Sequence, residues 1–340
     1  SMDEVSEILK KFTKPFALDK GDLVRMKVVK SKKEYYLLID MHHIISDGMS
    51  MGIFIKEFSS FYNGGELEEL SLQYKDYSEW MSIRNLDSQK EYWVSQFEDE
   101  APIIDLPYDY KRPVDQSYEG SITSIEIKKE IQNGIKELCK ITGATEYMVL
   151  LASFMVVLNK YTRQEDVVIG TPISGRTNKD MESMMGMFVN TLAIREKPEA
   201  EKSFLKFVDE VKESCLKAYE NQEYPFEELV EAVEVRRDFS RNPLFDVMFM
   251  LQNNENFNLL MDGIKLEQRW GDHRISKFDL SVMIGSSENG YFVGAEYCTA
   301  LFKRETIDRF LVHFKEVLCR VIETPESLIG EIQVITKEEE

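Results

Sequence analysis

The run Tyr35-Tyr36-Leu37-Leu38-Ile39-Asp40-Met41-His42-His43-Ile44-Ile45-Ser46-Asp47-Gly48 decides the fold. Its apolar first half reads as a buried strand. Asp47-Gly48 turns the chain, and apolar residues then return at Met51, Phe54, Ile55, Phe58, Phe61 and Tyr62, the one-sided spacing of an amphipathic helix. Asn63-Gly64-Gly65 ends that helix. Two of the chain's four histidines therefore stand side by side where a strand empties into a turn. Such turns commonly present a base at a cleft, and imidazole exchanges a proton near neutral pH. Adjacent residues at a strand end point to opposite sides. One histidine is expected to face a cleft and the other to pack, with Asp47 orienting the turn.

Working outward, residues 23–30 and 35–41 read as two strands joined by a turn at Ser31-Lys32-Lys33. A helix is predicted from about Asp87 to Glu98. Pro102, Pro107 and Pro113 punctuate 101–113, which places an interlobe linker at 105–120. The N-terminal lobe is then 1–104 and the C-terminal lobe 121–340. In the latter, Ser121–Ile127 reads as a strand, and helices follow near 129–141 and 145–161. The second is an apolar run, Tyr147 to Leu158, with Thr145 as N-cap. It falls short of the roughly 20 residues that span a bilayer, so it reads as a core helix. Val167–Gly170 and Phe188–Arg195 read as strands and 203–220 as a helix. Strands near 244–252, 278–284 and 291–297 precede a last helix at 305–323. Its apolar stripe runs Ile307, Phe310, Leu311, Phe314, Val317, Leu318 and Val321. This alternation favours an α/β or α+β sandwich.

With 340 residues the chain can build two lobes with sizeable cores, and 43% hydrophobic and 30% charged residues are ordinary for a globular protein. The net charge of −19 argues against a nucleic-acid partner. Cys139, Cys215, Cys298 and Cys319 are far apart, with neither a CxxC pair nor metal-ligand spacing, so they read as buried free thiols in a reducing compartment. Ser1-Met2 reads as a cloning remnant, and no signal peptide or membrane span is found, so a cytoplasmic location is expected.

The motif resembles the His-His-x-x-x-Asp-Gly core of nonribosomal peptide synthetase condensation domains, and the likeness continues along nearly the whole chain. Pro15-Phe-Ala-Leu-Asp-Lys-Gly-Asp-Leu-Val-Arg25 is similar to the segment ahead of the family's histidines. Tyr74-Lys-Asp-Tyr-Ser-Glu-Trp80 and Tyr92-Trp93 resemble pieces that follow them. Val168-Ile-Gly-Thr-Pro-Ile-Ser-Gly-Arg176, Met185-Gly-Met-Phe-Val-Asn-Thr-Leu192, Arg237-Asp-Phe-Ser-Arg-Asn-Pro-Leu-Phe-Asp-Val-Met-Phe249, Lys277-Phe-Asp-Leu280 and Tyr297-Cys-Thr-Ala-Leu-Phe302 match later motifs in order. The resemblance implies two chloramphenicol-acetyltransferase-like lobes in a V-shaped pseudodimer with a central tunnel. It implies amide-bond formation between a donor acyl or peptidyl thioester and the amine of an acceptor aminoacyl thioester. Both would arrive on the phosphopantetheine arms of upstream and downstream carrier proteins, with no cofactor or metal held by the domain itself. Thr336-Lys-Glu-Glu-Glu340 resembles the junction ahead of an adenylation domain. An epimerization domain and an acyltransferase using soluble acyl-CoA are the competing readings.

On the family's pattern His43 matches the catalytic position, while His42 and Asp47 match structural ones. Gly48 would let the backbone approach the substrate. Asn190, Thr171 and Ser174 are candidate tunnel residues, Asn190 through a hydrogen bond to the pantetheine arm or to nearby backbone. For Asn190 the plainer alternative is an outward strand residue, and for Arg25 either a carboxylate partner or a surface charge. His273 and His313 read as solvated, as does the acidic run Glu338-Glu339-Glu340. Met49 stands where the family often has tryptophan and is expected to alter packing under the loop. The chain lacks the family's N-terminal Arg-His-Glu-x-Leu-Arg stretch. An arginine from that region is expected to pair with the motif aspartate, so Asp47 is expected to lack its partner and the fragment to be weak or inactive alone.

Overall fold

The computed structural model describes residues 7–9, 11–31, 34–233, 238–252, 261–265 and 275–340. Lys32, Lys33, Arg237 and His273 lie outside the described residues. Contacts divide the chain into two compact units. The first comprises Ser1–Asn85, Ser174–Val189 and Glu255–Asp272, and the second comprises Leu86–Ile173, Asn190–Asn254 and His273–Glu340.

In the first unit, β1 (Val24–Lys30) pairs antiparallel with β2 (Tyr35–Met41), with Lys30 opposite Tyr35. A single 3-10 turn, His43–Ile45, follows, and then α1 (Gly48–Tyr62) and α2 (Tyr74–Ser82). The α2 helix escapes the apolar period because it is only nine residues long. Val24, Met26 and Val28 share one face of β1 and remain exposed, while Leu38 is the buried residue of β2. The unit's buried apolar cluster is small: Met181, Met184 and Phe188, with Tyr74 and Tyr77 packed on it.

The second unit holds a six-stranded mixed sheet in the order β3-β8-β7-β6-β4-β5. Its strands are β3 (Gly120–Lys128), β4 (Val167–Ile173), β5 (Asn190–Glu196), β6 (Val247–Gln252), β7 (Leu280–Ser287) and β8 (Gly290–Cys298). The parallel pairs are β4–β6 and β6–β7, and the others are antiparallel. The helices are α3 (Asp87–Ser95), α4 (Lys129–Thr142), α5 (Glu146–Thr162), α6 (Phe204–Glu220), α7 (Phe226–Ala232) and α8 (Arg304–Glu323). Thr145 caps α5 by accepting the Met148 amide at 3.3 Å, as its sequence position predicts. From Met148 to Asn159 α5 is buried on every side, which is why it reads as a continuous apolar run. It packs among α4, α6 and α8.

Four expectations need correction. The division between the units does not fall at 105–120. Instead α3 belongs to the second unit, with Trp93, Phe97, Ile104 and Leu106 in its main core. The expected linker is pinned there by Arg112, which pairs with Asp279 and stacks beside Tyr108. The predicted strand from Phe188 begins at Asn190, because Phe188 donates its amide elsewhere, as described below. His313 is buried. It takes the Tyr161 hydroxyl on Nδ1 at 2.7 Å and meets the Glu339 carboxylate through Nε2 at 2.9 Å. The acidic run Glu338-Glu339-Glu340 stays exposed as expected, and only its Glu339 makes this contact; the Thr336 amide and His313 hold the Glu339 carboxyl down at about 2. Finally, the cysteines are free as expected, but only Cys215 and Cys298 are buried, Cys139 and Cys319 being half-buried.

Glu196, at the end of β5, is buried with Oε1 lacking any hydrogen-bond partner among the described residues. Burial pushes its carboxyl up to about 7, although a bond from Ser214 opposes the shift. The folded chain thus keeps a proton that the unfolded chain releases near its ordinary value. This group's stabilising contribution is complete below about pH 4.5 and is lost as pH rises through about 7. Glu196→Gln stays neutral throughout. It is expected to raise unfolding stability at pH 8 by roughly 3 kcal/mol and to leave it unchanged at pH 4. Urea unfolding of both forms at the two pH values measures this.

Candidate active site

The site is built on the 3-10 turn. The His42 amide donates to Leu23 O at 2.9 Å, which extends the hairpin ladder by one bond. His42 Nδ1 then accepts the Ile44 amide at 3.0 Å, and its ring meets the edge of Phe16 at 5.7 Å. Through Nδ1 that ring helps to close the turn. The His43 ring is exposed and has no hydrogen-bond partner among the described residues. One ring of the pair thus packs, and its neighbour is exposed. The turn closes through the Ser46 amide to His43 O at 3.2 Å and the Ser46 hydroxyl to His42 O at 3.3 Å.

Asp47 is the anchor. Its side chain is 1% exposed, and Arg176 Nη2, also on a side chain 1% exposed, lies 3.0 and 3.1 Å from its two oxygens. The aspartate expected to lack a partner has one, so that ground for expecting inactivity falls away. Oδ1 also accepts the Ser50 amide at 2.7 Å, capping α1. It takes the Ser50 hydroxyl at 2.8 Å, while Oδ2 takes the Phe188 amide at 3.2 Å. Arg176 in turn donates through Nη1 to Met181 O at 2.5 Å and Met184 O at 2.7 Å, and its guanidinium lies 4.1 Å over the Phe188 ring.

Segment 174–189 is thus strapped to the turn through its own backbone. Two glycines make the approach possible. Gly175 has φ +64, and a Cβ there would meet Phe188 O at 1.8 Å; one on Gly186 would meet the Tyr74 ring at 2.1 Å. The Tyr74 hydroxyl donates to Met187 O at 2.7 Å. Burial first, and the Asp47 charge second, hold that phenol above its ordinary range, so it remains a donor. Nothing in the local sequence around Asp47 signals Arg176, 129 residues away. Its place in the quoted Val168–Arg176 motif is the only pointer.

The other candidates fare differently. A Cβ on Gly48 would meet nothing within 4 Å, so the protein itself does not require glycine there and leaves open space beside the helix start. Met49 is exposed and does not pack under the loop. Arg25 is a carboxylate partner, 3.3 Å from Asp40 and stacked on Phe16. Ser174 is exposed in the first unit, whereas Thr171 and Asn190 belong to the second. Thr171 is buried in β4. The Asn190 amide is already committed to backbone, donating to Gln222 O at 2.9 Å and Tyr224 O at 2.8 Å and accepting the Phe226 amide at 3.1 Å. Its polarity inside an apolar strand is explained by clamping that loop. Among the described residues no group of His, Cys, Asp or Glu could hold a metal ion.

Residues 1–340 match the family model described as "Condensation domain". Bacitracin synthase 3 of Bacillus licheniformis is 45% identical over 340 residues, covering 98% of this chain and 5% of that protein. Gramicidin S synthase 2 of Brevibacillus brevis is 43% identical over 346 residues, covering 100% and 8%. The chain thus spans a small fraction of the curated relatives it matches. The X-domain from teicoplanin biosynthesis superposes with a TM-score of 0.89 at 21% identity, covering 98% of this chain and 80% of that one. A holo four-domain nonribosomal peptide synthetase bound to AMP and glycine gives 0.86 at 22%, covering 99% and 27%. At these identities the likeness establishes the fold.

The Asp47–Arg176 pair is buried, so removing one partner strands the other. Arg176→Ala is expected to cost about 3–5 kcal/mol of unfolding free energy, and Asp47→Ala a similar amount. The double variant should cost clearly less than the sum, as a double-mutant cycle by urea unfolding would show. Additive losses would mean that the two groups do not sustain each other.

Proposed function

The chain belongs to the condensation-domain family of nonribosomal peptide synthetases, and from that premise we propose that it forms an amide bond between two thioester-bound groups carried by partner proteins, with His43 as the acting residue. The donor acyl or peptidyl group and the acceptor aminoacyl group each ride on a phosphopantetheine arm, from an upstream and a downstream carrier domain. An adenylation domain that loads the acceptor lies next in the assembly. The single observation that supports this reading is an exposed imidazole without a hydrogen-bond partner among the described residues, on a turn held by His42 and Ser46.

The acceptor amine attacks the donor carbonyl, the C–N bond forms, and the C–S bond breaks. The amine loses one proton and the departing thiolate gains one. His43 can take the first and return it as the second, since imidazole works in both directions near neutral pH. A thioester is already activated, so holding amine and carbonyl at attack distance supplies much of the acceleration. His42 cannot share the role, because its Nδ1 accepts the Ile44 amide. No cofactor is needed for this exchange. Among the described residues no single helix is long and apolar enough to cross a membrane.

His43→Ala is expected to lower turnover by about 10²- to 10⁴-fold in an assay with loaded donor and acceptor carriers. Thermal stability should be little changed, since the ring is exposed and makes no hydrogen bond among the described residues. Unaltered turnover in this variant would sink the assignment.

A further inference from the structure

We propose that Ser50 is a positioning residue for His43, acting through the Asp47 carboxylate; this rests on the amide-forming reading above. The Ser50 side chain is wholly buried. Its Oγ has four polar neighbours: Asp47 Oδ1 at 2.8 Å, Gly186 O at 2.9 Å, Gly186 N at 3.0 Å and Arg176 Nη2 at 3.1 Å. A hydroxyl donates one hydrogen bond and accepts two. The Gly186 amide and the guanidinium can only donate, so they fill both acceptor sites. The single hydroxyl proton is left to Asp47 Oδ1 or Gly186 O, and the charged acceptor is the stronger.

The Ser50 amide goes to the same Oδ1 at 2.7 Å. Both hydrogens that Ser50 can offer therefore converge on one carboxylate oxygen. They fix the rotation of the Asp47 carboxylate and leave Oδ2 facing the Phe188 amide. Asp47 directly follows Ser46, whose amide and hydroxyl hold the carbonyls of His43 and His42. A carboxylate free to rotate would loosen the turn that carries His43. An alanine at position 50 would keep the helix and the amide cap, so it removes this orienting proton while leaving α1 intact.

The test is a double-mutant cycle on a chain carrying the domain with its neighbouring carrier domains, each loaded with its thioester. Ser50→Ala is expected to lower kcat by about 10- to 100-fold, the usual penalty for a misplaced catalytic group. The KM for the acceptor carrier should stay within about twofold, and the change should add nothing once His43 is already alanine. In this 340-residue chain, the His43 ring signals in ¹H–¹⁵N spectra should move in Ser50→Ala. Where Ser50→Ala does not fold, Ser50→Cys, which keeps the bulk but offers a weak donor, carries the same cycle. A full multiplicative loss on the His43→Ala background, or unchanged kcat, overturns the positioning role alone. Unchanged turnover in His43→Ala overturns the function assigned to His43 and this inference with it.

Discussion

The buried pair between Asp47 and Arg176 is the constraint on which the rest of the candidate site depends. Taking two charges out of water costs several kcal/mol each, and their attraction offsets that only when further hydrogen bonds satisfy the remaining lone pairs and protons. The chain meets this condition at every polar atom of the pair but Arg176 Nε, which is buried without a hydrogen-bond partner among the described residues. Asp47 accepts from the Ser50 amide, the Ser50 hydroxyl and the Phe188 amide, while Arg176 spends its other amino group on the carbonyls of Met181 and Met184. Each of these bonds also fixes geometry. One residue caps α1, closes the histidine turn and holds a strap that is distant in sequence.

The fold was legible where a local rule acts alone. Long helices announce themselves by period and cap, as the one capped by Thr145 does, and the strands by short apolar runs. What escaped were features decided by distant chain. The helices Tyr74–Ser82 and Phe226–Ala232 are too short for a period to emerge. His313 lies off the apolar stripe of its helix, yet Tyr161 of α5 and Glu339 of the returning tail cover it. The proline-rich 101–113 looks like a linker by composition, yet Ile104 and Leu106 are core residues.

The site was legible in kind and less so in wiring. The tandem histidines, the aspartate and the glycine marked the turn, and the alternation rule separated a packed ring from an open one. Asn190 shows the limit. An amide in an apolar strand must find several partners, and sequence alone cannot say whether they are ligand or backbone. Here they are the carbonyls of Gln222 and Tyr224 and the amide of Phe226, so the residue is spent on a loop. Asp47 shows the reverse error. Its partner was sought ahead of the motif, but the only arginine that reaches it among the described residues comes from 129 positions later.

The two units are held by different kinds of force, and this bears on why the histidines sit where they do. The second unit owes its order to a large apolar core centred on the fully buried α5. Apolar burial is strong but non-directional, and it tolerates small shifts of packing. The first unit buries few apolar side chains, and its order is concentrated in the hydrogen bonds around Asp47, Ser50 and Arg176. Such bonds contribute little net stability each, yet they fail steeply with angle and distance. A proton-transfer group must be held to a fraction of an ångström, a demand that directional bonds meet and a greasy contact does not. Under the function proposed for His43, this polar network is the device that sets its aim.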